Sequence, residues 1–132
     1  MKQKRTIQSA AIFGTLAVLL GAFGAHAFKP ALIATGKLDT YELAVRYQFY
    51  HVFALLSVGI LMHHFLSKKL HLASLCFSVG ILFFSGSLYI LSFTGIGVWG
   101  AVTPVGGVLF ILGWVFLFLG ISENNPNNKG PE

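Results

Sequence analysis

Charged residues are scarce in this sequence, which has nine basic and four acidic residues, together 10% of its 132 residues. Soluble domains carry about 25% charged residues. Intrinsically disordered chains are rich in charge and poor in apolar residues, and coiled coils place charges regularly beside an apolar seam. The scarcity therefore excludes both of these classes and most soluble folds.

Cysteine is scarcer still, because Cys76 is the single cysteine and lies within an apolar stretch. One cysteine excludes an intramolecular disulfide and a thiolate metal cluster. The histidines also lack the spacing of a zinc motif. We therefore predict that the protein has no metal site.

Long apolar runs are what the sequence has in abundance, since 55% of its residues are hydrophobic. The charged residues all lie outside three uncharged runs, 6–28, 47–67 and 70–122. A helix needs roughly 20 apolar residues to cross a bilayer, so the first two runs hold one span each and the third holds two. This pattern predicts an all-α membrane protein with four transmembrane helices in an antiparallel bundle.

The four spans form a single predicted domain over residues 1–121, followed by a disordered polar tail over residues 122–132. The predicted spans cover residues 7–27, 45–66, 70–93 and 98–121. For the first span the alternative is a secretory signal peptide, because a basic start precedes it and it ends in Ala25-His26-Ala27. We favour a retained span, because its apolar stretch is too long for a signal and its small residues recur every three or four positions.

The segment between the first two spans carries several helix signals. Pro30 and Gly36 predict a short interfacial helix that begins at the proline and ends at the glycine. Asp39 and Glu42 have the spacing of a capping box, which predicts a helix start near residue 40. Arg46 follows Glu42 by four positions, so the two can pair on the first turns of that helix, and the alternative is a solvated surface pair that contributes only a few tenths of a kcal/mol.

Pro104 leaves two alternatives for the start of the last span. Either the helix begins at Val98 and kinks at the proline, or Thr103 caps a shorter helix, and we favour the first. Glycines at helical spacing predict close contact between helices, either within the bundle or with a second copy or another membrane protein. The predicted packing residues are Gly14, Gly21, Gly24, Gly86, Gly106, Gly113 and Gly120.

The basic residues flank the apolar runs instead of forming one patch on a soluble surface, which argues against nucleic-acid binding. With both termini in the cytoplasm, six basic residues lie inside and three outside, and the positive-inside rule favours this orientation. The inner set is Lys2, Lys4, Arg5, Lys68, Lys69 and Lys129, and the outer set is Lys29, Lys37 and Arg46. The lipid bilayer is the one certain partner on this reading.

Polar residues of the spans gather toward the predicted outer leaflet, where a buried polar group is a functional candidate by default. The candidate cluster comprises His26, Arg46, Tyr47, Gln48, His51, Ser85, Ser87, Tyr89 and Thr103. One hypothesis makes it a site for a small molecule or a proton, and the other, which we favour, makes it a set of interhelical hydrogen bonds. Haem held by His26 and His51 is a less favoured third hypothesis, so no cofactor is predicted.

Motifs of soluble catalysis are absent from the sequence. It has no Walker loop, no Gly-x-Gly-x-x-Gly after a strand and no Gly-x-Ser-x-Gly elbow. No paired acids or activated nucleophile can be placed in the spans beside a base. We therefore predict that the protein is not an enzyme.

Several segments together resemble a known family. They are Gly21-Ala22-Phe23-Gly24-Ala25-His26, Tyr47-Gln48 with His51, Phe84-Ser85-Gly86-Ser87-Leu88-Tyr89, Thr103-Pro104-Val105-Gly106-Gly107 and Leu112-Gly113-Trp114. In order and spacing they resemble the domain of unknown function 423 family, which includes YgdD-like bacterial membrane proteins and is related to the transmembrane protein 256 group. The resemblance implies a small integral protein of the bacterial cytoplasmic membrane, with no catalytic or ligand residues to transfer.

The function expected from all of this is a non-enzymatic structural or interaction component of the membrane. The alternative is a small transporter, or a protein that binds a lipid or quinone at the polar cluster. The two alternatives differ in whether the cluster encloses a cavity or is filled by its own side chains.

Overall fold

The computed structural model describes residues 1–123, which form five α-helices. These are α1 (Gln3–Ala25), α2 (Lys29–Ala34), α3 (Leu38–His64), α4 (Lys68–Thr94) and α5 (Val98–Ser122). All except α2 are long and apolar enough to cross a membrane, so the predicted all-α fold with four spanning helices is confirmed. Of the predicted tail, Ser122 belongs to α5 and Glu123 is its C-cap, and the rest lies outside the described residues.

Short connections reverse the chain between helices. Gly36 and Gly95 both have a φ of +66°, a left-handed conformation that glycine adopts without steric cost, and they follow the ends of α2 and α4. Ser67 caps α4, because its hydroxyl accepts the backbone N–H of Lys69 at 3.2 Å. The Lys69 ammonium also pairs with the Glu123 carboxylate at 2.5 Å, which joins the start of α4 to the end of α5.

Helix α3 starts earlier than its acidic residues predict. It begins at Leu38 with Lys37 as N-cap, and no side chain caps it. The predicted capping box is wrong because Asp39 already lies in the first turn, where its carboxylate meets the positive end of the helix dipole instead. The pair that Glu42 and Arg46 could form is not present, since the two side chains form no salt bridge and both line a surface groove.

Both helical prolines lie where a helix can accommodate them. Pro30 is in the first turn of α2, where its missing N–H costs no hydrogen bond. Pro104 lies inside α5, which begins at Val98 and continues to Ser122. Of the two alternatives for the last span, the structure therefore shows the helix that starts before the proline.

The spanning helices pack in chain order, α1 against α3, α3 against α4, and α4 against α5. Among the described glycines, the closest approach to a neighbouring backbone is at Gly106 of α5, where an added Cβ would overlap the backbone of Phe84 in α4. Small residues permit such approach because no side chain separates the two backbones. Other glycines at which an added Cβ would meet a neighbouring helix closely are Gly24, Gly59, Gly80, Gly113 and Gly120.

The remaining predicted packing glycines differ from one another. A Cβ at Gly14 would lie 3.4 Å from Val52, and one at Gly21 would lie 3.4 Å from Val45, which are moderate contacts between α1 and α3. Gly86 faces open space, so it does not pack against a neighbouring helix. It lines surface grooves beside α1 and α5 instead.

Candidate functional site

Gln48 joins three helices through its side-chain amide. It lies in α3, is buried, and donates from Nε2 to the Phe13 carbonyl of α1 at 2.8 Å. Its Oε1 accepts the Tyr89 hydroxyl of α4 at 2.7 Å. Since a glutamine amide offers both donors and an acceptor, one side chain holds α1 and α4 to α3.

Ser85, Ser87 and Thr103 bond within the same region of the bundle. The Ser85 hydroxyl donates to the Ala44 carbonyl of α3 at 2.7 Å, and both serines are buried. The hydroxyls of Ser87 and Thr103 share a hydrogen bond of 2.6 Å that links α4 to α5. Each of these contacts connects two different helices, as the packing hypothesis for the cluster requires.

His51 is the central residue of α3 and is buried against α5. Its ring stacks on Phe110, with centroids 3.4 Å apart and planes 4° from parallel. Its Nδ1 lies 2.7 Å from the Tyr47 carbonyl, and its Nε2 lies 3.3 Å from the indole nitrogen of Trp114.

The partners of His51 determine which ring nitrogen carries its proton. A carbonyl oxygen only accepts hydrogen bonds, so Nδ1 must be the donor toward Tyr47. An indole N–H only donates, so Nε2 must be the acceptor from Trp114. The imidazole is therefore neutral in this arrangement, and both of its nitrogens are occupied by protein groups.

The side chains of three members of the candidate cluster form no hydrogen bond with the buried polar network among the described residues. His26 is the C-cap of α1 and is exposed. Arg46 is exposed and lines a groove between α1 and α3. Tyr47 lies at the surface, where its ring stacks on Phe84 with centroids 4.7 Å apart.

The separation of His26 from His51 bears on the haem hypothesis. Gly14 of α1 packs beside Val52, the neighbour of His51, and His26 lies about 18 Å further along α1 at 1.5 Å per residue. Two axial ligands must reach the same iron, so these histidines do not form an axial pair. Among the described residues, no group of three or more His, Cys, Asp or Glu is placed to hold a metal ion.

Two residues that bond within the bundle, Tyr41 and Trp114, are not part of the candidate cluster that the sequence predicts. Tyr41 is fully buried, and its hydroxyl donates to the Leu20 carbonyl at 2.5 Å while its ring fills the space beside Gly24. Trp114 bonds His51 across the bundle. The glycine stripe of α1 was a signal that a large side chain would face Gly24, whereas nothing in the sequence indicated a partner for His51.

The buried polar side chains of the network bond to protein groups. Within the described part of the chain, every buried side-chain nitrogen and oxygen has a hydrogen-bond partner. A shallow groove of about 140 Å³ between α1 and α4 reaches Gln48, Ser85 and Tyr89, but the polar atoms of all three are already bonded to protein groups. The arrangement orders the helices, and each of its buried side-chain polar atoms among the described residues is engaged by a protein group.

Replacing Gln48 with leucine is expected to lower the free energy of unfolding by about 1–2 kcal/mol, because two interhelical hydrogen bonds are lost and Tyr89 keeps a hydroxyl without its acceptor. Tyr89→Phe alone should cost about 0.6 kcal/mol. Unfolding in mixed micelles, followed by circular dichroism, measures both variants.

The double variant is the control for this pair. Once Gln48 is leucine, Tyr89→Phe should cost nothing further, because the bond between them is already absent. If Tyr89→Phe costs the same in both backgrounds, the hydrogen bond between Gln48 and Tyr89 does not contribute to stability.

Comparison with known proteins gives a consistent set of relatives. Residues 20–107 match a family described as "Protein of unknown function (DUF423)". The chain is similar to a UPF0382 membrane protein of Staphylococcus saprophyticus, with 46% identity over 110 residues, which cover 83% of this chain and 90% of that protein. It is also similar to the UPF0382 inner membrane protein YgdD of Escherichia coli K12, with 37% identity over 111 residues, which cover 84% of each chain. No solved structure matches it.

Proposed function

This chain belongs to the DUF423 family of membrane proteins, and we propose that it is a non-enzymatic component of the bacterial cytoplasmic membrane. In this role the buried polar side chains hold the four spans together. The protein then acts through contacts of its lipid-facing surface with lipid, with a second copy or with another membrane protein. The family resemblance inferred from the motifs is confirmed by the matched relatives.

The observation that carries this proposal is that the buried polar side chains already have hydrogen-bond partners within the protein. A binding or catalytic site presents polar groups that are free to orient a ligand, whereas the buried polar atoms of the described residues already have protein partners. The surface offers large apolar side chains instead, with Ile12 of α1 61% exposed and Phe118 of α5 71% exposed. These helix faces supply the area for contact within the bilayer.

The orientation that we propose places both termini in the cytoplasm. The distribution of six basic residues against three supports it through the positive-inside rule. The relative YgdD is named an inner membrane protein, which supports the cytoplasmic membrane as the location. With this orientation, the end of the bundle that carries α2 faces outward.

The rival function is transport, or the binding of a lipid or quinone at the polar network. The shallow groove beside Gln48 and Tyr89 is where a quinone ring would approach. If the Tyr89 hydroxyl donated to a quinone carbonyl there, it would give up its bond to Gln48. The structural role requires no such exchange of partners.

Quinone titration separates the two functions. The protein reconstituted in liposomes is titrated with a short-chain ubiquinone while tryptophan fluorescence is recorded. We expect quenching that rises linearly with the quinone in the bilayer and is equal in the wild type and in Gln48→Leu, because collisional quenching needs no site. Saturable quenching that Gln48→Leu abolishes would establish a quinone site and overturn the structural role of the network.

A further inference from the structure

A groove follows the boundary between α1 and α3 on one side of the bundle. Its first part, of about 190 Å³, lies beside Gly21 and Val45, and its second, of about 310 Å³, lies beside Gly14 and Phe49. The α3 residues that line both parts recur every three or four positions, from Glu42 to Leu56. Residues at this spacing share one face of a helix, so the two parts lie in line over about 21 Å.

The second part of the groove is apolar, and small residues lie between Ile7 and Val18 on its α1 side. Ala10, Ala11 and Gly14 line it from α1, and aromatic and aliphatic side chains including Phe49 and Phe53 line it from α3. The small residues leave a channel between the two helices, because the larger side chains of α3 stand beside it. Such an apolar channel suits a hydrocarbon chain.

The first part carries the only charges of the groove, Glu42 and Arg46. Both side chains are exposed, and neither forms a salt bridge with the other or with another described residue. Arg46 lies about 7.5 Å from the central residue of α3 at 1.5 Å per residue. A guanidinium within a spanning helix is costly in lipid unless it is paired, and no described carboxylate lies within salt-bridge distance of Arg46.

We propose that this groove binds one zwitterionic phospholipid, whose phosphate contacts Arg46 and whose ammonium group contacts Glu42, with an acyl chain in the apolar part. The order of charges fits a lipid of the leaflet at the α2 end. In such a lipid the phosphate lies deeper than the ammonium group, and Arg46 lies one turn deeper than Glu42. Arginine also suits the phosphate chemically, because its guanidinium can donate two parallel hydrogen bonds to phosphate oxygens.

Lipid binding by the full chain tests this proposal directly. The protein is delipidated in mild detergent and offered an equal mixture of phosphatidylethanolamine, phosphatidylcholine and phosphatidylglycerol with the same acyl chains. Native mass spectrometry then counts the bound lipids. We expect one phosphatidylethanolamine per chain, and we expect R46Q to lower its binding by about tenfold, as the loss of a charge-assisted contact implies.

Further variants separate the contributions that the headgroup, the acyl chain and general positive charge make to lipid binding. E42Q should remove the preference for phosphatidylethanolamine over phosphatidylglycerol, which has no ammonium group. Ala11→Trp should fill the apolar part and reduce binding of all three lipids. K29Q removes a positive charge from α2, outside the groove, and should leave binding unchanged.

Arg46 and Glu42 make no salt bridge within the described protein, so R46Q and E42Q should unfold at the wild-type temperature, which separates a binding effect from misfolding. Equal lipid binding by R46Q and the wild type would overturn the proposal, and so would lipid binding that Ala11→Trp leaves intact. A second copy of the chain crosslinked through position 46 in native membranes would also overturn it, because the groove would then be an interface between copies.

Discussion

Gly106→Ala is expected to destabilise the protein by about 3 kcal/mol or more. An added Cβ would overlap the backbone nitrogen and Cα of Phe84, and backbone atoms cannot move aside as a flexible side chain can. Helices α4 and α5 would have to separate, and the contacts along their whole interface would weaken. Unfolding in mixed micelles of increasing SDS content, followed by circular dichroism, measures the change.

The neighbouring glycine provides a matched control. A Cβ at Gly107 would lie 3.9 Å from the Phe84 ring, which is an ordinary van der Waals distance. Gly107→Ala should therefore leave stability unchanged or raise it by up to about 1 kcal/mol, because alanine favours a helix more than glycine does. Equal stability of Gly106→Ala and Gly107→Ala would show that the close approach of α4 and α5 is not required.

His51→Ala is expected to lower the free energy of unfolding by about 3 kcal/mol. The substitution leaves a cavity where the ring stacks on Phe110, and it deprives the Trp114 N–H of its acceptor. His51→Phe keeps a ring of similar shape for the stack and loses only the two hydrogen bonds, so its cost should be smaller, about 1–2 kcal/mol. The same unfolding measurement in mixed micelles compares the two variants.

His26→Ala is the control for the histidine series. His26 is exposed at the end of α1, so its loss should change stability by about 0.5 kcal/mol at most. If His51→Ala proves as mild as His26→Ala, the stacked and bonded position of His51 does not hold α3 to α5. A large loss of stability in His51→Phe, equal to that of His51→Ala, would instead assign the effect to the hydrogen bonds alone.

The boundaries of the local elements were predictable where a backbone or solvation constraint acts on a few neighbouring residues. Charges are excluded from the hydrocarbon region at a cost of several kcal/mol each, so the uncharged runs indicate the spans. Pro30 and Gly36 enclose α2 for similarly local reasons. The same kind of rule failed at Asp39, because the backbone enters α3 one residue before it.

Pairings between helices were not predictable in the same way. The spacing rule allows Glu42 and Arg46 to meet, but both side chains line the groove and form no salt bridge with each other. His51 and Trp114 are distant in sequence, and their contact depends on which face α5 turns toward α3. A membrane helix is apolar on every side, so its hydrophobic pattern does not identify the face that is buried.

By itself, the sequence determined that the protein lies in a membrane, that it crosses it four times, and that it belongs to its family. These follow from the cost of charge in hydrocarbon and from motifs whose order and spacing along the chain resemble those of the family. Only the tertiary structure separated the buried network around Gln48 and His51 from the exposed Arg46, since hydrogen bonds between helices depend on their rotation and depth. That separation moves the candidate binding site from the centre of the bundle to the groove between α1 and α3.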